Sequence, residues 1–357
     1  MIPRSNDLLI TGASGLIGSR LIERCLVDNR MKPRAVVGSF ANLARIKRFP
    51  LRTYKWDMLN EDFPPDVLPE GAAVVHLAYT TKYKAEQNLR ANLEGTKNLL
   101  SACVQGGISH FIYLSSTAIY DEMPDKAVIK EDTKPALQSD SYGYDKILIE
   151  DYISNNGSGF RFPITVVRPS IVFGPLAPAW TIRIYSWIKD GVLKRYDTYQ
   201  GKCNLVYLDN VVNFIYNCVN NPKSYSRKYN VVDDTNITWS DYLEKYENLL
   251  GQKIIEGNYL LFSLKYQIRL KILKLLKSIF WINPALFRPY KNKLAEKSPK
   301  TMEVITNIGP ELATIRLFGN SHFYDIERNF EILPFTAWVN FPRAWQMVEE
   351  HFREYSY

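Results

Sequence analysis

Cysteine is scarce: four residues in 357, Cys25, Cys103, Cys203 and Cys218, with no CxxC pair among them. Such spacing excludes a disulfide framework and predicts core thiols in a reducing compartment. Histidine is equally scarce, and His76, His110, His322 and His351 lack metal-ligand spacing, so no metal is expected. No uninterrupted apolar stretch approaches the roughly 20 residues a spanning helix needs, which argues against an integral membrane protein. Between Met1 and the first apolar strand there is no space for the charged and apolar regions of a secretory signal, and the expected location is the cytoplasm. Internal repeats and low-complexity tracts are missing too. With 46% apolar and 23% charged residues the composition is that of an ordinary globular protein.

Charge of one sign is present, but locally. The net charge is +8, and the stretch from Lys253 to Lys300 holds eleven Lys or Arg against Glu256 and Glu296. The remainder is close to neutral, so no nucleic-acid footprint covers the molecule.

From residue 8 to 170 short apolar runs alternate with helical periods. Strands are expected near Leu8–Thr11, Arg34–Ser39, Arg52–Asp57, Ala73–Ala78, Phe111–Ser116 and Ile164–Arg168, and helices near Leu16–Asp28, Gln87–Gln105 and Tyr142–Ser154. This alternation predicts an α/β fold, a Rossmann doubly wound parallel sheet. After Pro169 the pattern becomes irregular, with short strands at Leu205–Tyr207 and Tyr229–Val232 and helices at Asn210–Val219 and Ser240–Leu250. The expected division is therefore a dinucleotide-binding domain over 1–170, to which 209–222 return. A smaller, interleaved α+β substrate domain takes 171–208 and 223–357, including a basic amphipathic helical insertion at 257–300.

The first strand runs into Thr11-Gly12-Ala13-Ser14-Gly15-Leu16-Ile17-Gly18 and then a helix. Glycines fall where the chain must turn tightly, and backbone N–H groups at the helix N-terminus would face a pyrophosphate. Gly12, Ser14, Gly15, Leu16, Ile17 and Gly18 are the candidate phosphate loop, and NAD or NADP the expected cofactor. The second strand ends Gly38-Ser39-Phe40, without the acid that holds a ribose 2′-hydroxyl. With Arg45, Lys47 and Arg48 close downstream, that ending tilts the expectation toward NADP.

In Ser141-Tyr142-Gly143-Tyr144-Asp145-Lys146, Tyr142 and Lys146 stand one helical turn apart on one face. A neighbouring ammonium favours the phenolate and would bring a tyrosine with an ordinary pKa near 10 toward the working range. Tyr144 lacks this partner, since Leu148 stands four residues on.

The GxxGxxG spacing and the YxxxK pair, placed after the fifth strand and before the sixth, resemble the extended branch of the short-chain dehydrogenase/reductase superfamily, the NAD-dependent epimerase/dehydratase family. That resemblance implies Tyr142 as general acid/base, with Lys146 lowering its pKa and holding the nicotinamide ribose. It implies Ser116, in Ser115-Ser116-Thr117-Ala118-Ile119-Tyr120, as the hydroxyl that holds the substrate oxygen, with Thr117 as rival and Ser115 pointing away by strand alternation. It also implies cofactor contacts from Asp57 and Met58, from Leu77 and Ala78 in His76-Leu77-Ala78, from Asn92, and from Pro169 and Ile171. Ala118 and Ile119 stand where sugar-nucleotide dehydratases carry an acidic pair, which argues against a dehydratase.

Within the family, Ile171 occupies the place of an epimerase Asn, and Cys203-Asn204 that of an Arg-Asp pair. Asn210, in Leu205 to Val212, resembles the 3β-hydroxysteroid dehydrogenase group, as does the stripe Leu261, Leu264, Ile268, Ile272, Leu275 and Ile279 over Tyr259–Ile282. The expectation is an NAD(P)-dependent oxidoreductase acting on an apolar, sterol-like secondary alcohol or ketone. Alternatives are a nucleotide-sugar 4-epimerase using the same residues, and a non-catalytic cofactor-binding scaffold. The partner is a small molecule, not nucleic acid. The 257–300 insertion could pack structurally, act as a lid or rest on a membrane surface, and the helices at Gln87–Gln105 and Tyr142–Ser154 could form a homodimer contact.

Overall fold

In the computed structural model, which describes residues 5–83, 85–136, 142–264, 267–268 and 312–355, the short apolar runs bounded by turn residues become strands buried on both faces. β1 (Asp7–Thr11), β4 (Ala73–His76) and β7 (Ile164–Pro169) are buried at nearly every residue. With β2 (Lys32–Val37), β3 (Thr53–Lys55), β5 (His110–Leu114) and β10 (Lys228–Val231) they form a seven-stranded sheet in the order β10-β7-β5-β4-β1-β2-β3. Every neighbouring pair is parallel.

Strand alternation sends consecutive residues to opposite faces, and two cores result. Leu8, Ile10, Ala73, Val75, Ile112 and Val167 pack with α1 (Leu16–Asp28) and α5 (Leu208–Cys218) on one face. Leu9, Val74, Phe111, Tyr113 and Val166 pack with α2 (Ala85–Gly106) and α3 (Tyr142–Asn156) on the other. Arg20 of α1 donates from Nε and Nη2 to Asp209 of α5, at 2.8 to 3.0 Å. The order reverses between β1 and β4, and it is there, at the carboxyl ends, that such sheets bind ligands.

The chain divides into two units, one of Met1–Thr181, Asn204–Thr235 and His322–Tyr357, the other of Ile182–Cys203 and Asn236–Ser321. Segments 204–208, 223–235 and 322–357, expected in the substrate domain, belong instead to the first unit. β10 completes the main sheet because its backbone pairs with β7, Tyr229 facing Val167 and Val231 facing Pro169. The short parallel pair β8 (Ile171–Phe173) and β9 (Leu205–Tyr207) also lies in the first unit. So does the chain end: β11 (Phe323–Tyr324) pairs with β6 (Val128–Ile129). Asn210 clasps the backbone of Val339 through both amide atoms, at 2.8 and 2.9 Å.

The second unit has an aromatic centre. In α6 (Trp239–Leu250), which Thr238 and Asp241 cap reciprocally, Trp239 stacks on Phe318 of α7 (Leu312–Gly319) with ring centres 4.0 Å apart. Of the expected insertion at 257–300 only 257–264 and 267–268 are described, with 259–264 helical. The rest of the Tyr259–Ile282 stripe lies outside the described residues. Among the described residues no helix is long and apolar enough to cross a membrane.

Behind α3 lies a buried ion pair. Arg168 Nε donates to Glu150 Oε1 at 2.9 Å, and its Nη1 reaches Tyr120 Oη at 2.6 Å and the Glu131 carbonyl at 2.9 Å. Burial would raise the Glu150 carboxyl, yet Arg168 and Ser115 together hold it below its ordinary value. Removing one partner strands the other charge, so Arg168→Met is expected to lose about 3–5 kcal/mol in urea unfolding. The double variant Arg168→Met with Glu150→Leu is expected to recover part of that loss.

Candidate active site

Gly12 turns the chain after β1 with φ +67°, and a Cβ there would lie 2.8 Å from the Ala78 nitrogen and the Leu77 carbonyl carbon. Only glycine satisfies both the left-handed backbone and this approach of the β4 end. Gly18 lets α1 settle on the same loop, since a Cβ on it would come within 2.4 Å of the Gly12 carbonyl oxygen. Gly15 caps α1 without a side-chain bond, and no acid occupies the first turn. Free N–H groups at that end form an anion site.

Two cavities meet at this loop. One, of 340 Å³, runs along the ends of β1, β2 and β4 and is lined by Gly12, Ser14, Gly15, Gly38, Ser39, Asp57, Met58, Leu77, Ala78, Tyr79 and Lys82 among others. The other, of 400 Å³, shares Gly12, Gly15 and Leu77 and adds Leu16, Ile17, Gly18, Ser116, Tyr142, Pro169 and Ser170. Phosphate-loop residues and the expected reacting hydroxyls thus face connected space.

Tyr142 and Ser116 line the same cavity, and Ser116 Oγ accepts from the Ala118 N–H at 3.1 Å. Ser115 turns the other way and donates to Glu150 at 2.6 Å, as strand alternation predicts. Thr117 is buried and does not line this cavity. Lys146 is buried, and its ammonium donates to the Leu114 carbonyl at 2.7 Å. His76 bridges Thr11 and Thr96 through its two ring nitrogens at 2.6 and 2.9 Å. Burial, and secondly the Lys146 charge, push His76 down to about 3, so it is a neutral strut.

Electrostatics depart from the expectation for the Tyr142 and Lys146 pair. Desolvation raises Tyr142 to about 12, although 45% of the residue is exposed, and Ser116 acts the other way. Burial lowers Lys146 to about 7, while Glu150 and Asp145 act the other way. Desolvation thus opposes the charged form of both groups, raising Tyr142 and lowering Lys146. Desolvation, which depends on tertiary packing, outweighs the one-turn neighbour seen in the sequence.

Some expected contacts fall elsewhere. Asn92 does not line the cavity; its Oδ1 accepts from the Thr80 N–H at 2.9 Å and its Nδ2 donates to the Thr80 carbonyl at 3.1 Å, clipping the loop after β4. Ile171 is buried in β8, and its strand neighbours Ser170 and Val172 line the cavity in its place. Ile171 therefore makes no wall of this cavity and says nothing of the substrate's polarity. Arg45 and Arg48 line a different cavity with Glu23, to which Arg48 pairs at 3.8 Å. Among the described residues that line the candidate cofactor space, Lys82 is the cation. Tyr79 and Asp145, joined by a 2.8 Å hydrogen bond, were not singled out from the sequence, because nothing local to either residue marks the other.

A dinucleotide fits these residues: an elongated cavity, a glycine turn that admits close backbone approach, and an acid-free helix end. Asp57 faces the cavity as a carboxylate; burial would raise it, but bonds from Asn60 and the Leu59 N–H hold it below its ordinary value. The sheet and the site together define a Rossmann protein of the extended short-chain dehydrogenase/reductase type.

The profile of the NAD dependent epimerase/dehydratase family matches residues 8–231, and the chain belongs to that family. It is 24% identical over 260 residues to the N-acetyl-α-D-glucosaminyl-diphospho-ditrans,octacis-undecaprenol 4-epimerase of Escherichia coli O157:H7, covering 70% of this chain and 74% of that protein. It is 23% identical over 252 residues to a UDP-glucose 4-epimerase of Vibrio cholerae, covering 68% and 75%. Its fold matches the UDP-glucuronic acid 4-epimerase of Bacillus cereus, crystallised with NAD, with a TM-score of 0.70 at 17% identity over 98% of this chain and 99% of that one. These relatives are named for sugar substrates, and the sterol-like substrate has no counterpart among them.

Gly18→Ala places a methyl where the loop and α1 meet, so it is expected to abolish NAD and NADP binding in titration calorimetry while leaving a folded chain. Undiminished affinity would mean that this loop does not hold the pyrophosphate.

Proposed function

We propose that the protein is an NAD(P)-dependent 4-epimerase of a sugar carried on a diphosphate. The observation that carries this reading is one cavity lined both by Ser116 and Tyr142 and by the glycine loop from Gly12 to Gly18. The names of the curated relatives supply the choice of sugar and of position.

The cofactor would be held by the loop from Gly12 to Gly18, by Asp57 and Met58, and by Leu77 and Ala78; when bound in its oxidised form, its cationic nicotinamide takes up and returns a hydride and favours a phenolate beside it. Ser116 and Tyr142 hold the sugar 4-hydroxyl between them. Tyr142 takes the hydroxyl proton as the C4 hydrogen leaves as hydride, giving a 4-keto sugar. The sugar then turns its other face, and Tyr142 returns the proton to the oxygen as C4 is reduced. Atoms and electrons balance within one turnover, so no cofactor is consumed.

The test is conversion of UDP-glucose, UDP-N-acetylglucosamine and polyprenyl-diphosphate N-acetylglucosamine to their 4-epimers, followed by chromatography with NAD present. Tyr142→Phe is expected to lower the rate by about 10²–10⁴-fold, the usual contribution of a positioned acid/base, and Ser116→Ala to lower it as well. Stoichiometric formation of reduced cofactor without any epimer would instead identify a dehydrogenase and overturn the proposal.

A further inference from the structure

Burial opposes the charge on Lys146, and the groups that face it determine whether the charge survives. From its own helix come Asp145, Glu150 and Tyr142; from β5 come Tyr113 and the Leu114 carbonyl; from β4 and its following loop come neutral His76 and Tyr79. Three of these are tyrosine rings around one cation. Lys146 Nζ lies 4.9 Å from the ring centre of Tyr79, 4.9 Å from that of Tyr113 and 5.6 Å from that of Tyr142. All lie within the roughly 6 Å at which a ring quadrupole attracts a cation, an attraction that grows when the site is desolvated.

Tyr79 is itself fixed. Its hydroxyl donates to Asp145 Oδ2 at 2.8 Å, an oxygen that the Asn92 amide also approaches at 3.4 Å. Its ring meets Tyr142 edge to face, with centres 4.9 Å apart and planes at 86°. Asp145 is buried, so this anchor is shielded from water and the angle between the two rings is set by it.

We propose that Tyr79 is a positioning residue that completes an aromatic cage around the Lys146 ammonium, keeping that ammonium charged and the Tyr142 ring in place. The inference rests on the assignment of Tyr142 and Lys146 as the reacting pair. Hydroxyl and ring have separate tasks: the hydroxyl anchors through Asp145, and the ring face supports the charge. Tyr79→Phe keeps the cage and removes the anchor. Tyr79→Leu keeps apolar bulk and removes both, so the difference between the two variants isolates the ring.

The experiment is a pH titration of the Lys146 amine by NMR on the full chain labelled at lysine ε-nitrogen, with the signal assigned by its loss in Lys146→Met. In Tyr79→Leu the midpoint is expected to fall by about one pH unit, the size of one desolvated cation–π contact, and in Tyr79→Phe to stay within a few tenths of wild type. Less charge at a given pH means that the alkaline limb of the epimerisation rate moves to lower pH by the same amount in the Leu variant alone. Equal shifts in both variants would assign the effect to the Asp145 bond, and no shift in either would remove the cage; each outcome overturns the proposal. Tyr79 is half-buried and both variants are expected to fold, with Tyr79→Met serving as the second ring-free variant should Leu not do so. If the NMR midpoints move as expected but the wild type converts no sugar, the cage stands and the functional reading fails.

Discussion

Glu150 is the side chain on which the geometry of the candidate site depends. One carboxylate, almost wholly buried, accepts from Arg168 of β7 and from Ser115 at the end of β5, and lies 3.4 Å from Lys228 of β10. It belongs to α3, the helix that carries Tyr142 and Lys146. Fixing Glu150 to three adjacent strands therefore fixes the rotation of α3 against the sheet. That rotation sets Tyr142 against Ser116 and Lys146 beneath the Leu114 carbonyl. Such an arrangement is costly in desolvation and repays it only with complete hydrogen bonding, which Glu150 has.

The parts of the site legible in the sequence were those whose residues are neighbours along the chain. The glycine turn with its flanking strand and helix, and the one-turn spacing of Tyr142 and Lys146, are local patterns with local causes. So is the opposite facing of Ser115 and Ser116. Asn92 and Ile171 were placed by analogy of motif, and their side chains answer to tertiary neighbours instead: a loop carbonyl for one, a second small sheet for the other. The strand at Tyr229–Val231 was visible as a strand, but its membership of the main sheet depends on pairing with β7, more than fifty residues earlier in the chain. The desolvation of Tyr142 and Lys146 is likewise a property of packing rather than of spacing.

The end of β2 leaves cofactor choice open in a specific way. Gly38 and Ser39 line the cavity without an acid, and the arginines downstream belong to a different surface. Among the described residues lining the end of β2 there is neither a carboxylate that would reject a 2′-phosphate nor a cation from that loop that would attract one. Discrimination has to come from elsewhere on the wall, where Lys82 is the charged side chain and Asp57 the opposing one.

The Asn210 amide that clasps Val339 has a consequence for biosynthesis. The first unit is interrupted twice, and its final segment leaves the ribosome only after the whole of the second unit has been made. The parallel sheet can collapse early around β1, β4, β5 and β7, but the Asn210 amide must wait for residues near the chain end before both of its atoms are satisfied. Until then Asn210 has Asp233 as a partner for its Nδ2 but no Val339 N–H for its Oδ1, and completion of this turn of α5 is a late docking step rather than part of domain-by-domain folding from the N-terminus.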